Sequence, residues 1–162
     1  ALGDVLVFKR KGGGHVGLMG EAARAVHARG GRVVGVIPGR LVDLELCYKE
    51  ADEVVVTDTV RERKAIMEDR ADAFVALPGG LGTLEEIMEV IVLKQLGYHN
   101  RPVIFLNTKG IFDKLFGHFE DLYASDFVKD SFRLLYLVAD TPEEVFSLLD
   151  SYIPPVPVSK LF

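Results

Sequence analysis

Cysteine is nearly absent: Cys47 is the only one in the chain. A lone thiol can form neither an internal disulfide nor a multi-cysteine metal site, and it fits a reducing cytoplasm. Long apolar runs are missing too, since "VVGVI" and "PVIFL" are far too short to cross a bilayer. No signal peptide is seen. Basic residues never cluster beyond the short "KRK" at 9–11, and the net charge is −5. A nucleic-acid groove usually carries a basic stripe, so no nucleic-acid partner is expected. A single anion, such as a nucleotide phosphate, stays open because backbone geometry can bind it. The histidines, His15, His27, His99 and His118, lack metal-ligand spacing such as HExxH and are read as structural or surface residues. The chain opens on "ALGD" without a methionine, which suggests missing first residues.

What remains is a globular composition. With 49% apolar and 27% charged residues over 162 positions, one domain spanning 1–162 with a real core is expected. Short runs rich in Val, Ile and Leu recur at 5–8, 32–38, 53–58, 73–78, 102–107 and 134–140. Such runs mark strands covered on both faces, as in a parallel sheet. Helical stretches alternate with them at 20–30, 59–70, 83–97, 110–127 and 141–152. In the last, Thr141 is a natural N-cap and Pro142 suits the first helical position. The fold class is therefore α/β, a doubly wound parallel sheet with helices on both faces. The helix from Thr83 to Gly97 is apolar nearly all round. Leu84, Met88, Ile91 and Gln95 share one face, with Val90, Leu93 and Leu96 toward the other. Burial on both sides is then expected, through a homodimer across this helix or a neighbouring helix.

The chemistry centres on "FVALPGGLGTLEEIMEV", residues 74–90. In open α/β sheets, ligands bind beyond the carboxyl ends of strands. Gly79, Gly80 and Gly82 follow such an end, Thr83 adds a hydroxyl, and the next helix offers its positive terminus. Together they suit a phosphate cradle. The plainer alternative is a tight turn that binds nothing. No "GK[ST]" follows, so this is not the ATPase P-loop, nor is it GxGxxG. Glu85 and Glu86 have a cheap explanation in the helix dipole, worth about 0.3–1 kcal/mol each. A carboxylate pair beside a phosphate is nevertheless repelled unless it faces something cationic. The oxocarbenium ion of a breaking glycosidic bond is such a cation. Arg63 and Lys64 in "RERKA" open another helix at the same sheet edge, and "GGGHVGLMG" (12–20) is a second glycine loop.

These residues resemble one family. "PGGLGTLEE" matches the PGGxGTxxE signature of the LOG ("Lonely Guy") family, and "RERKA", "GGGHVGLMG" and "GRVVGVIP" sit where it has counterparts. The likeness runs from about residue 12 to residue 150. It implies a Rossmann-like nucleotide-binding domain, a dimer and no organic cofactor, beside the absence of any metal-ligand spacing noted above. It also implies a cytokinin riboside 5′-monophosphate phosphoribohydrolase, a type often mislabelled lysine decarboxylase. Such an enzyme splits an N6-modified AMP into free base and ribose 5-phosphate. By the same resemblance, Arg63 and Glu86 are the catalytic pair. Glu45, Lys64, Gly79, Gly80, Leu81, Gly82, Thr83, Glu85, Gly13 and Gly14 contact substrate. Arg63 would hold Glu86 in place or hydrogen-bond the departing base. Two departures stand out. "VFKRKGGG" replaces a family "LVYGGG", which reads as an incomplete N-terminal strand and loop, and Val92 replaces a family threonine near the base pocket. The rival expectations are a general purine nucleoside 5′-monophosphate nucleosidase and a non-catalytic nucleotide or molybdenum-cofactor carrier. A PLP decarboxylase would need a larger fold with a Schiff-base lysine.

Overall fold

The computed structural model of the chain describes residues 5–8, 18–42, 48 and 50–155. Its strands are β1 (Val5–Phe8), β2 (Val34–Pro38), β3 (Glu53–Thr57), β4 (Ala73–Ala76), β5 (Val103–Leu106) and β6 (Leu137–Ala139). They alternate with α1 (Leu18–His27), the single turn α2 (Gly39–Val42), α3 (Val60–Arg70), α4 (Leu81–Gln95), α5 (Asp113–Ala124) and α6 (Pro142–Asp150). Every strand pairing is parallel. The result is the α/β, Rossmann-like arrangement anticipated from the apolar runs. Among the described residues the strands form two ladders, a four-stranded one ordered β1-β4-β5-β6 and a two-stranded one of β2 and β3.

The burial of β4 and β5 explains why their sequences do not alternate. Every residue of both strands is buried. Phe74, Ala76, Val103 and Phe105 pack under Met67 of α3, Ile87 and Val90 of α4, and Phe112. Val75, Ile104 and Leu106 face the other way, against Val145, Leu148 and Leu149 of α6. Each fully buried large side chain contributes roughly 1.5–3 kcal/mol, so both layers anchor the sheet. Phe105 adds edge-on contacts with Phe112, Phe116 and Tyr136, centroids 5.2, 5.3 and 5.6 Å apart.

Two helices start with the same device. Thr59 caps α3 by accepting from the Glu62 N–H, and the Glu62 carboxylate accepts from the Asp58 N–H at 2.8 Å. Thr141 caps α6 likewise, with Glu144 reaching back to the Asp140 N–H at 2.7 Å. Both are variants of the capping box.

Two expected spans shorten most. The strand anticipated over 134–140 keeps only Leu137–Ala139, because 130–135 wind into a 3₁₀ turn that buries Leu135. The helix anticipated from 110 begins at Asp113. Before it, Lys109 (φ 60°) and Gly110 (φ 67°) are left-handed, and the Asn107 side chain bonds both the Phe112 N–H and Asp113. No helix among the described residues is long and apolar enough to cross a membrane.

Candidate active site

β4 delivers the chain to its carboxyl edge, and residues 77–80 turn into α4. The helix begins at Leu81, two residues before the expected Thr83. Gly80 is its extended N-cap, with no side-chain cap hydrogen bond. Thr83 therefore lies inside the first turn and is completely buried. Gly79 makes that possible: a Cβ there would sit 2.1 Å from Thr83 Oγ1 and 2.9 Å from Thr83 Cβ. This glycine serves close loop-to-helix packing. Gly80 differs, since a Cβ added there meets nothing within 4 Å. Its bare backbone faces open space at the N-terminal end of α4, a place where an anion can approach a helix.

The early start also moves Glu85 and Glu86 into the second turn, and the first turn holds no acid. The dipole therefore does not account for them, because its effect fades beyond the first turn. Their partners lie on α3. Arg63 Nη1 donates to Glu86 Oε1, and Arg63 Nε donates to the Val36 carbonyl of β2 at 3.1 Å. The two side chains are 13% and 4% exposed. Glu86 Oε2 is buried with no hydrogen-bond partner among the described residues. Leaving a buried acceptor unmet costs about 1–3 kcal/mol, more for a charged group. Such an orphan at a sheet's carboxyl edge is suited to a ligand hydroxyl or a water.

Lys64 forms a second rung. Its Nζ bonds Glu85 Oε1 and contacts Glu89 Oε2, and the residue is buried. Burial pulls the ammonium's pKa down, but hydrogen bonds and charge from Glu85 and Glu89 prevail and leave it above the ordinary lysine value. Glu68, one turn along α3, is pushed up by burial and then by the Glu89 charge. Arg63 and Lys64, adjacent in sequence, thus reach adjacent glutamates across the seam between α3 and α4.

The residues 63, 64, 79–83, 85 and 86 all lie along this seam and the loop that opens it. Gly13, Gly14, His15, Glu45 and Cys47 lie outside the described residues. Sequence reading overlooked Glu89 and the Val36 carbonyl. Glu89 was within reach, standing one helical turn after Glu85; a main-chain carbonyl has no side-chain signature. No group of His, Cys, Asp or Glu among the described residues could hold a metal ion.

Beside the seam, Met88, Val92 and Gln95 of α4 face Phe119, Phe132 and Tyr136 across an apolar groove. Ile87 and Val90 pack on the sheet. α5 and the following turn thus wall part of the outer face of α4, while Val92 is still 43% exposed.

Comparison with known proteins identifies the family. Residues 19–149 match a family described as "Possible lysine decarboxylase". Probable cytokinin riboside 5′-monophosphate phosphoribohydrolase LOGL9 of Oryza sativa subsp. japonica is 46% identical over 157 residues, covering 94% of this chain and 69% of that protein. Cytokinin riboside 5′-monophosphate phosphoribohydrolase LOG5 of Arabidopsis thaliana is 42% identical over 143 residues, 88% of this chain and 63% of that protein. Its LOG4 counterpart is 40% identical over 157 residues, 94% of this chain and 73% of that protein. The chain thus spans from under two thirds to about three quarters of the length of these relatives. A family match over most of the chain, with relatives this similar, places it in the possible lysine decarboxylase family alongside the LOG phosphoribohydrolases.

Proposed function

We propose that the chain hydrolyses the N-glycosidic bond of an N6-modified adenosine 5′-monophosphate, releasing free base and ribose 5-phosphate. The observation that carries this reading is the buried Arg63–Glu86 pair with one glutamate oxygen unpartnered. A pure carrier has no use for an orphaned carboxylate beside its glycine loop. The relatives' names supply the substrate class.

In the proposed reaction, the Gly80 loop and the start of α4 hold the 5′-phosphate, so remote binding energy positions the sugar. Glu86 Oε2 orients the attacking water, takes its proton as the C1′–O bond forms, and stabilises the oxocarbenium-like transition state. The C1′–N bond breaks, its electron pair leaves with the base, and the departing nitrogen takes a proton from solvent as Glu86 returns its own to solvent. Arg63 is too strong a base to act as a proton donor. With Nε on Val36 and Nη1 on Glu86, its role is to fix the carboxylate.

The test is incubation with AMP and with N6-isopentenyl-AMP, following free base by chromatography. Release is expected, favouring the modified base, and Glu86→Gln should lower kcat on the order of 10²-fold or more with the fold intact. Equal kcat/KM for both nucleotides would identify a general purine nucleotide hydrolase. Release from neither by folded protein would overturn the reading in favour of a carrier. Full activity in Glu86→Gln would overturn the assigned chemistry. We also propose a cytoplasmic homodimer seated on the outer face of α4. Sedimentation should report a dimer that Val92→Glu dissociates, and a wild-type monomer would reject this.

A further inference from the structure

Lys64 is more heavily partnered than a substrate-binding lysine needs to be. Its ammonium contacts Glu85 Oε1 and Glu89 Oε2 on α4 and feels the charge of Glu68 on its own helix. The side chain is 10% exposed. It cannot swing out to a phosphate without abandoning both contacts and moving a buried charge. The two glutamates are unequal. Glu85 is 57% exposed, adjoins Glu86, and uses only Oε1 on Lys64 among the described residues. Glu89 is 40% exposed and stands one turn further from the glycine loop, yet its Oε2 is buried against the ammonium, as an ion-pair contact without hydrogen-bond geometry.

A lysine is a point charge on a flexible four-carbon stem. Held by a single carboxylate, it would leave that carboxylate almost as free as itself. A second one converts the stem into a fixed post. We infer that Glu89 is a positioning residue for the reaction proposed above. It anchors the Lys64 ammonium, and the anchored ammonium sets Glu85 so that its other oxygen meets the ribose hydroxyls. This rests on the nucleotide-hydrolase reading. It assigns Lys64 an indirect part in binding in place of the direct contact implied by the family resemblance.

The test is a double-mutant cycle over Glu85→Gln and Glu89→Gln, read in two ways. With N6-isopentenyl-AMP, Glu89→Gln should raise KM on the order of tenfold with little change in kcat, and this effect should vanish when Glu85 is already Gln. An equal KM penalty in both backgrounds, or none in either, would overturn the inference. The second reading needs no nucleotide. Each single variant should lower Tm slightly, because the other carboxylate still serves Lys64. The double variant should lose more than the sum, and adding Lys64→Met should recover the loss. Additive losses would overturn the anchoring role. If the wild type releases no base, the functional reading fails, and the nucleotide-free cycle still decides whether Glu89 anchors Lys64.

Discussion

Arg63 has two obligations. One nitrogen is committed to the main chain of β2 and another to a carboxylate that is almost wholly enclosed. Arg63→Ala therefore removes the only described partner of Glu86 and leaves a charge stranded. The expected cost is about 3–5 kcal/mol in urea unfolding, together with loss of nucleotide hydrolysis. The double variant Arg63→Ala, Glu86→Gln should regain most of the stability, since a neutral amide tolerates the site, and under the proposed function none of the activity. Arg63→Lys keeps the charge but has a single nitrogen for two acceptors, so it should fall between. If the double variant were no more stable than Arg63→Ala, the pairing would not be what holds Arg63 in place.

The glycine loop separates two uses of the same amino acid. Gly79→Ala drives a methyl into Thr83 and should destabilise the fold by about 1–3 kcal/mol, as overpacking does. Gly80→Ala meets no neighbour and should stay within about 0.5 kcal/mol of wild type. Under the proposed function it should still raise KM, by crowding the phosphate. Chemical denaturation of both variants beside AMP kinetics makes the comparison, and a Gly80→Ala protein with unaltered KM would remove that loop from the phosphate site. The same loop shows where sequence reading stopped. Thr83 has the residue type of a helix cap, and its spacing from Glu86 even resembles a capping box. Yet Gly79 lets the threonine side chain sink inward, and the helix starts at Leu81. The strands were readable because β4 and β5 are buried on both faces, which writes itself into composition. Asn107 set the start of α5 through side-chain bonds that no periodicity encodes. Arg63 and Glu86 were legible from motif and spacing. Their contact was one of two roles expected for Arg63, and sequence could not choose between them, because the pair joins two helices through residues 23 apart in the chain.

At the scale of the whole molecule, stability in acid is tied to His99. Its Nε2 lies 3.0 Å from the Val90 carbonyl, its Nδ1 accepts from the Arg101 N–H at 3.2 Å, and its ring rests on Phe74. These bonds fit the neutral ring protonated at Nε2. Burial, chiefly, pushes its pKa from 6.5 down to about 4, and the charges of Arg101 and Lys94 act in the same direction. The unfolded chain thus binds a proton that the folded one refuses. The contribution to stability is complete above pH 6.5 and is lost as the pH falls toward 4. Thermal melts across that window should decline less steeply for His99→Gln than for wild type. Parallel curves would mean that another group governs the acid limb.

The bond from Arg63 to Val36 has a kinetic meaning as well. It ties the ladder of β2 and β3 to a glutamate that follows β4, across 27 and 23 residues of chain. Contacts of such separation tend to close late, after locally stabilised pieces have formed. The Arg63–Glu86 pair is then complete only when the two ladders meet. In refolding from urea, helical circular dichroism should recover before the proposed hydrolysis does. The delay between the two signals would time the final step of assembly, which makes enzymatic turnover a clock for the closing of the fold.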